Sequence, residues 1–121
     1  VSFNVLICDD SSLARKMARR SLPRGLAKEV FQASNGQEAL AVISQHPVEL
    51  LILDLTMPIL DGVGVLEEIR AQMLEVFVVV VSGDIQPQMR EKVLKLGALD
   101  FIPKPVDTRQ LSDTLHRFGL Y

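Results

Sequence analysis

Strand-length apolar runs alternate with segments of helical period five times along this chain, and no other feature limits the fold as strongly. Residues 4–9 (NVLICD) read as a first strand. A helix then runs to about Leu22, capped by Asp10, Ser11 or Ser12, with Leu13, Met17 and Leu22 on one side. Pro23, Arg24 and Gly25 break it. Residues 29–33 (EVFQA) alternate as a shorter strand. Asn35-Gly36 is a turn signal, and residues 38–45 form a short helix stopped before Pro47. Residues 50–54 (LLILD) are the third strand, followed after Asp61-Gly62 by Val63, Leu66 and Ile69 at helical spacing. Residues 76–82 (VFVVVVS) are the most β-branched run and read as a buried strand. Residues 86–96 are helical, with Pro87 tolerated in the first turn and Gly97 ending the helix. Residues 99–102 are the last strand, and Asp107 or Thr108 caps a final helix bearing Leu111 and Leu115.

Strands buried on both faces read as continuous apolar runs, as three of these do. Right-handed crossovers place the helices on both faces of a parallel sheet. The expected fold is therefore α/β: a flavodoxin-like (βα)5 three-layer sandwich with strand order 2-1-3-4-5. At 121 residues the chain is expected to be a single domain, residues 1–121, or the N-terminal domain of a longer regulator. Net charge is -2, which does not suggest direct binding of nucleic acid. No apolar run approaches a membrane span. The N-terminus lacks signal-peptide features and Cys8 is the only cysteine, so the expected location is cytoplasmic.

In this strand order, ligands bind beyond the carboxyl ends of the strands. The first strand ends in Asp9-Asp10, the third in Asp54, the fourth in Ser82, and Lys104 follows the fifth. These residues would share one crevice. Three carboxylates within ~5 Å repel by roughly 3 kcal/mol per pair at an effective dielectric near 20, so the cluster needs cations. A hard divalent ion suits carboxylate oxygens, and Mg²⁺ accepts one or two of them with carbonyls and waters. Lys104 adds a mobile point charge, and Ser82 a hydroxyl donor. A carboxylate is ionised at pH 7 and acts as a nucleophile without a general base. The inferred chemistry is phosphoryl transfer onto an aspartate.

Together these residues resemble the CheY-like response-regulator receiver family of two-component signalling. The resemblance covers the whole chain and rests on Asp9-Asp10, residues 35–40 (NGQEAL), Asp54 with Met57-Pro58 and Asp61-Gly62, Ser82-Gly83, Gly97-Ala98 and Lys104-Pro105. It implies that Asp54 is the phosphoacceptor and that Asp10, Asp54 and the Thr56 carbonyl coordinate Mg²⁺, or Mn²⁺ in its place. Asp9 would act through a metal-bound water. Ser82 and Lys104 would contact the phosphoryl group, and the Lys104-Pro105 bond would be cis. Phe101 takes the switch position, although its sequence suits simple core equally. Thr56 and Asp84 would flank the attacking water and tune phosphoryl lifetime. The implied partners are a sensor histidine kinase or phosphotransfer protein and an output partner or linked output domain. The resemblance also allows dimerisation through the fourth and fifth helices.

Plainer roles stand beside these. Asp61 reads as a helix cap, Cys8 as a small core residue, the methionines as filler, and His46 and His116 as surface residues. A haloacid-dehalogenase-type phosphatase would carry a second Asp two residues after its nucleophile, where Thr56 stands here. A non-phosphorylated receiver-like binding module would not need all five polar residues. A flavin carrier would need a glycine- and hydroxyl-rich loop where this chain has Asp9-Asp10.

Overall fold

In a computed structural model, residues 2–84 and 86–121 are described. The order of elements is β1 (Phe3–Cys8), α1 (Ser12–Ser21), β2 (Ala27–Ala33), α2 (Gly36–Gln45), β3 (Leu50–Leu53), α3 (Gly62–Ala71), β4 (Phe77–Ser82), α4 (Pro87–Lys95), β5 (Asp100–Pro103) and α5 (Thr108–Arg117). All strand pairs are parallel, in the order β2-β1-β3-β4-β5. Both the flavodoxin-like fold and the strand order match the sequence expectation.

Period-two alternation divides each central strand between two cores. Leu6, Cys8, Leu51, Leu53, Val78 and Val80 face one side, where Ala39, Val65, Leu66 and Val93 cover them from α2, α3 and α4. Val5, Ile7, Leu50, Ile52, Val79 and Val81 face the other, under Ala18 of α1 and Leu111 and Leu115 of α5. Each fully buried Val or Leu contributes roughly 1.5–3 kcal/mol, so the sheet holds its strand ends on a rigid base.

Helix starts follow local chemistry. Ser11, Asn35, Asp61 and Asp107 cap α1, α2, α3 and α5, accepting the backbone N–H of Ala14, Glu38, Gly64 and Gln110. The Asp61 cap is as expected, and Ser11 settles the choice left open for α1. Gly62 follows because a Cβ there would collide with the Asp54 carbonyl. Gly97, at φ +106°, terminates α4.

The buried face of α1 differs from expectation. Leu13 and Met17 point to solvent, while Ala14, Ala18, Ser21 and Leu22 turn inward. Ala18 packs into the core on that face, and the Ser21 hydroxyl lies 3.1 Å from the Val106 carbonyl. β2 is also longer than its alternating core suggested, because its partly exposed flanks carry Lys28 and Glu29. β5 begins one residue later than expected, at Asp100, which is buried.

Candidate functional site

The carboxyl ends of β1, β3 and β4 and the loop after β5 converge on one edge. β1 delivers Asp9, whose amide donates to the Ala33 carbonyl, and β3 delivers Asp54, whose amide donates to the Cys8 carbonyl. The backbone thus holds both acids in sheet register one residue past the strands. Asp9 and Asp54 are buried and Asp10 is exposed. One oxygen from each of Asp9, Asp10 and Asp54 lies within 4.8 Å of the others.

Lys104 projects into this cluster. Its Nζ is 2.8 Å from Asp9 Oδ2 and 3.3 Å from Asp54 Oδ1. Its amide donates to the Ser82 carbonyl at 2.9 Å, and its bond to Pro105 is cis. Ser82 is fully buried, and its Oγ accepts the Asp84 amide at 3.1 Å. Asp9 also accepts the Ser11 amide through Oδ1, so it joins the helix start to the lysine.

Burial raises the Asp54 pKa above the ordinary carboxylate value, and the Asp9 charge adds to this, with Lys104 only partly offsetting them. For Lys104, burial acts downward, but its contacts with Asp9 and Asp54 prevail and raise it. Three hard carboxylates facing one ammonium leave negative charge unbalanced. That donor set fits a hard dication such as Mg²⁺. Adding Mg²⁺ to the protein is expected to raise Tm at neutral pH, and Asp10→Asn to remove most of that gain. An equal gain in both proteins, by calorimetry, would place the ion elsewhere.

The loop carrying Thr56 is held at several points. Met57 is buried, and its sulfur lies 3.4 Å from the Cys8 sulfur. Leu60 N–H donates to the Pro58 carbonyl at 2.8 Å, closing a tight turn over Ile59, whose φ is +71°. A β-branched residue in that region is strained. The Leu60 carbonyl accepts from Gly36 and the Leu55 carbonyl from Gly62, both at 2.9 Å. Thr56 itself is exposed. Ile59 escaped the sequence reading, since only glycine, Asn or Asp would have signalled positive φ there.

Phe101 is buried in the core cluster shared with Val80, Val93 and Ala98. Cys8 is buried as expected, and His46 and His116 are exposed, with His46 stacked on Phe31 at 4.5 Å between ring centroids. Met57 and Met89 are filler, but Met17 and Met73 are exposed.

Residues 5–116 match the family profile described as "Response regulator receiver domain". The chain belongs to the response regulator receiver family. The receiver is 28% identical to the chemotaxis protein CheY of Bacillus subtilis, over 97% of this chain and 98% of that one. It is 35% identical to the group 2 operon protein-glutamate methylesterase/protein-glutamine glutaminase of Rhodospirillum centenum, over 95% of this chain but 30% of that protein. It likewise spans 46% of the transcriptional regulatory protein HptR of Staphylococcus aureus, at 34% identity. Among solved structures, CheY in the CheX-CheY-BeF3-Mg complex of Borrelia burgdorferi superposes with a TM-score of 0.86 at 28% identity, over 97% of this chain and 89% of that one. The NarL receiver domain of Mycobacterium tuberculosis gives 0.87 at 27%, over 98% and 96%. Receivers of this family are two-component signalling modules that bind Mg²⁺ at an acidic pocket, and this chain groups Asp9, Asp10 and Asp54 at one edge of its sheet.

Proposed function

We propose that this receiver accepts a phosphoryl group on Asp54 from the phosphohistidine of a sensor kinase or phosphotransfer protein. The carrying observation is the buried Asp54 carboxylate, 3.3 Å from Lys104 and grouped with Asp9 and Asp10. An Asp54 oxygen attacks phosphorus and the P–N bond breaks. The imidazole nitrogen keeps the electron pair, and an aspartyl phosphate, a mixed anhydride, is formed. Asp10, Asp54 and the Thr56 carbonyl would hold Mg²⁺, or Mn²⁺ in its place, with Asp9 acting through a metal-bound water. When bound, that ion neutralises charge on the phosphoryl oxygens. Lys104 pairs with one phosphoryl oxygen and the Ser82 hydroxyl donates to another. Water later attacks phosphorus, breaking the anhydride P–O bond and releasing inorganic phosphate and the Asp54 carboxylate.

The energy available for signalling comes from contacts made only with the phosphoryl group. Ser82, whose Oγ accepts the Asp84 amide, turns its hydroxyl proton toward the phosphoryl group, and β5 beside it carries Phe101, so the shift reaches the surface of α4, β5 and α5. That surface would then meet an output partner or a linked output domain, in the cytoplasm. Dimerisation through α4 and α5 would use the same face. The receiver unit spans residues 5–116, the part of the chain that matches the family.

Acetyl phosphate with Mg²⁺ is the direct test. Intact mass should rise by one phosphate; no adduct on folded protein would favour a receiver-like binding module that signals without phosphorylation. Turnover of p-nitrophenyl phosphate would favour the phosphatase alternative. Thr56 and Asp84 line the water's approach, so Thr56→Lys and Asp84→Lys should each change the decay rate of the phosphorylated protein. Unchanged decay in both would refute their timing role.

A further inference from the structure

Among the basic residues of α1, Lys16, Arg19 and Arg20 are exposed, and Arg15 alone is half-buried. Its guanidinium makes two directed bonds. Nη1 donates to the Asp9 backbone carbonyl at 2.7 Å, and Nε donates to Gln32 Oε1 at 3.0 Å. Among the described residues it joins no ion pair, although Asp9, Asp10 and Asp54 cluster at the same edge. Lys104 does the opposite, sending its ammonium to the Asp9 and Asp54 carboxylates themselves. Arg15 therefore grips the chain that carries the acids rather than their charge.

The gripped carbonyl belongs to the Asp9–Asp10 peptide. Before it, the Asp9 amide is fixed to the Ala33 carbonyl, and Asp9 Oδ1 accepts the Ser11 amide at 2.9 Å. Asp10 is exposed and has no ion pair among the described residues. A peptide unit is planar, so fixing the Asp9 carbonyl also sets the bond to the Asp10 Cα, from which that carboxylate projects. The rigid fork of an arginine sets direction as well as distance, and Gln32 braces it from the edge strand β2.

We infer that Arg15 is a positioning residue of the acid cluster: braced by Gln32, it holds the Asp9–Asp10 peptide so that the Asp10 carboxylate stays grouped with Asp9 and Asp54 to take a dication. That the dication is Mg²⁺ held by Asp10 rests on the site reading proposed above. Charge alone argues the other way. A guanidinium beside the site repels a cation, so an Arg15 acting only through its field would weaken Mg²⁺ binding. The two roles are opposite in sign and can be told apart.

Mg²⁺ affinity is read from amide resonances on titration at fixed ionic strength. Arg15→Met removes both charge and fork, and Arg15→Lys keeps the charge but loses the fork. Both should bind Mg²⁺ about tenfold more weakly, the usual scale for losing a group that orients a metal ligand. Gln32→Leu should weaken binding about threefold alone and add little once Arg15 is Met, because both changes remove the same brace. In metal-free protein, hydrogen exchange of the Ser11 amide should quicken in both Arg15 variants while the β1 amides keep their rates. A general loss of stability would quicken all of them. Tighter binding in Arg15→Met with unchanged binding in Arg15→Lys would overturn the inference in favour of a field effect. Unchanged affinity in both variants, or quickened exchange spread through β1, would overturn it too. If the unaltered protein bound no Mg²⁺, the site reading itself would fall, and the exchange rates would still decide whether Arg15 holds the peptide.

Discussion

Asp54→Asn is expected to abolish the phosphate adduct formed with acetyl phosphate and Mg²⁺ while making the metal-free protein more stable at neutral pH. The first half follows from chemistry: the amide oxygen is not a carboxylate nucleophile, and Asp9 and Asp10 serve the lysine and the metal instead. The second half follows from linkage. The folded-state pKa of Asp54 is raised by burial and then by Asp9. A group raised in this way favours folding below its unfolded pKa and loses that contribution as pH rises through the folded value. At pH 7 the ionised carboxylate is therefore a cost. A neutral isostere should recover on the order of 1 kcal/mol, or about 4 °C in Tm. The gain should shrink as pH falls through the raised folded value of Asp54, where the carboxyl itself takes up a proton. An adduct persisting in this variant would move the phosphoacceptor elsewhere. A lower Tm at pH 7 would mean that Lys104 dominates the electrostatics of the cluster.

Asp100→Ala is expected to destabilise the fold measurably, although Asp100 lies outside the acid cluster. Asp100 sits at the start of β5, buried, with its carboxylate accepting from the Thr114 hydroxyl at 2.6 Å and the Phe101 amide at 2.8 Å. Arg117 of α5 donates to the same carboxylate, and Arg90 of α4 approaches it at 3.6 Å. Burial acts to raise its pKa, but Thr114, the Phe101 amide and Arg117 outweigh burial and depress it. Removing the acid strands the Thr114 hydroxyl and leaves Arg117 without its partner. The Arg117 and Arg90 guanidiniums are largely exposed and stay hydrated, so the cost is mainly the stranded Thr114 hydroxyl and the lost charge-assisted bonds, roughly 1–3 kcal/mol. That corresponds to a fall in Tm of about 4–12 °C, read by thermal unfolding. The pH dependence has the opposite sign to that of Asp54. A depressed carboxylate contributes above its unfolded pKa, near 4, and loses that contribution as pH falls through the folded value. The acid limb of the stability curve should therefore flatten in the variant. A loss under about 1 kcal/mol would show the pairs to be surface-like.

Much of the architecture was legible because the inner strands are covered on both faces. VFVVVVS has no polar face to present, so β4 could be nothing but an inner strand. Asp54 was legible for the related reason that an acid at the end of such a run needs company. Its company came from strands that only the order 2-1-3-4-5 makes neighbours. The inward face of α1 was not legible. Size and hydropathy favoured Leu13 and Met17, whereas Ala18 and Ser21 are the buried residues, Ser21 beside the Val106 carbonyl. Asp100 drew no reading from the sequence because its partners lie 14 and 17 positions further on, in another element. The positive φ of Ile59 left no trace, since its residue type argues against it.

The thiol of Cys8 offers a practical handle by doing nothing. It is buried, donates to the Asn35 carbonyl at 3.3 Å, and is pushed up to about 12 by burial, then by the Asp9 and Asp54 charges. Reagents that alkylate thiolates should pass it over in the folded protein. The chain also lacks tryptophan. A single cysteine or tryptophan placed on α1 or α5 would thus report without background, and the native thiol can stay in place while labels follow the surface in real time.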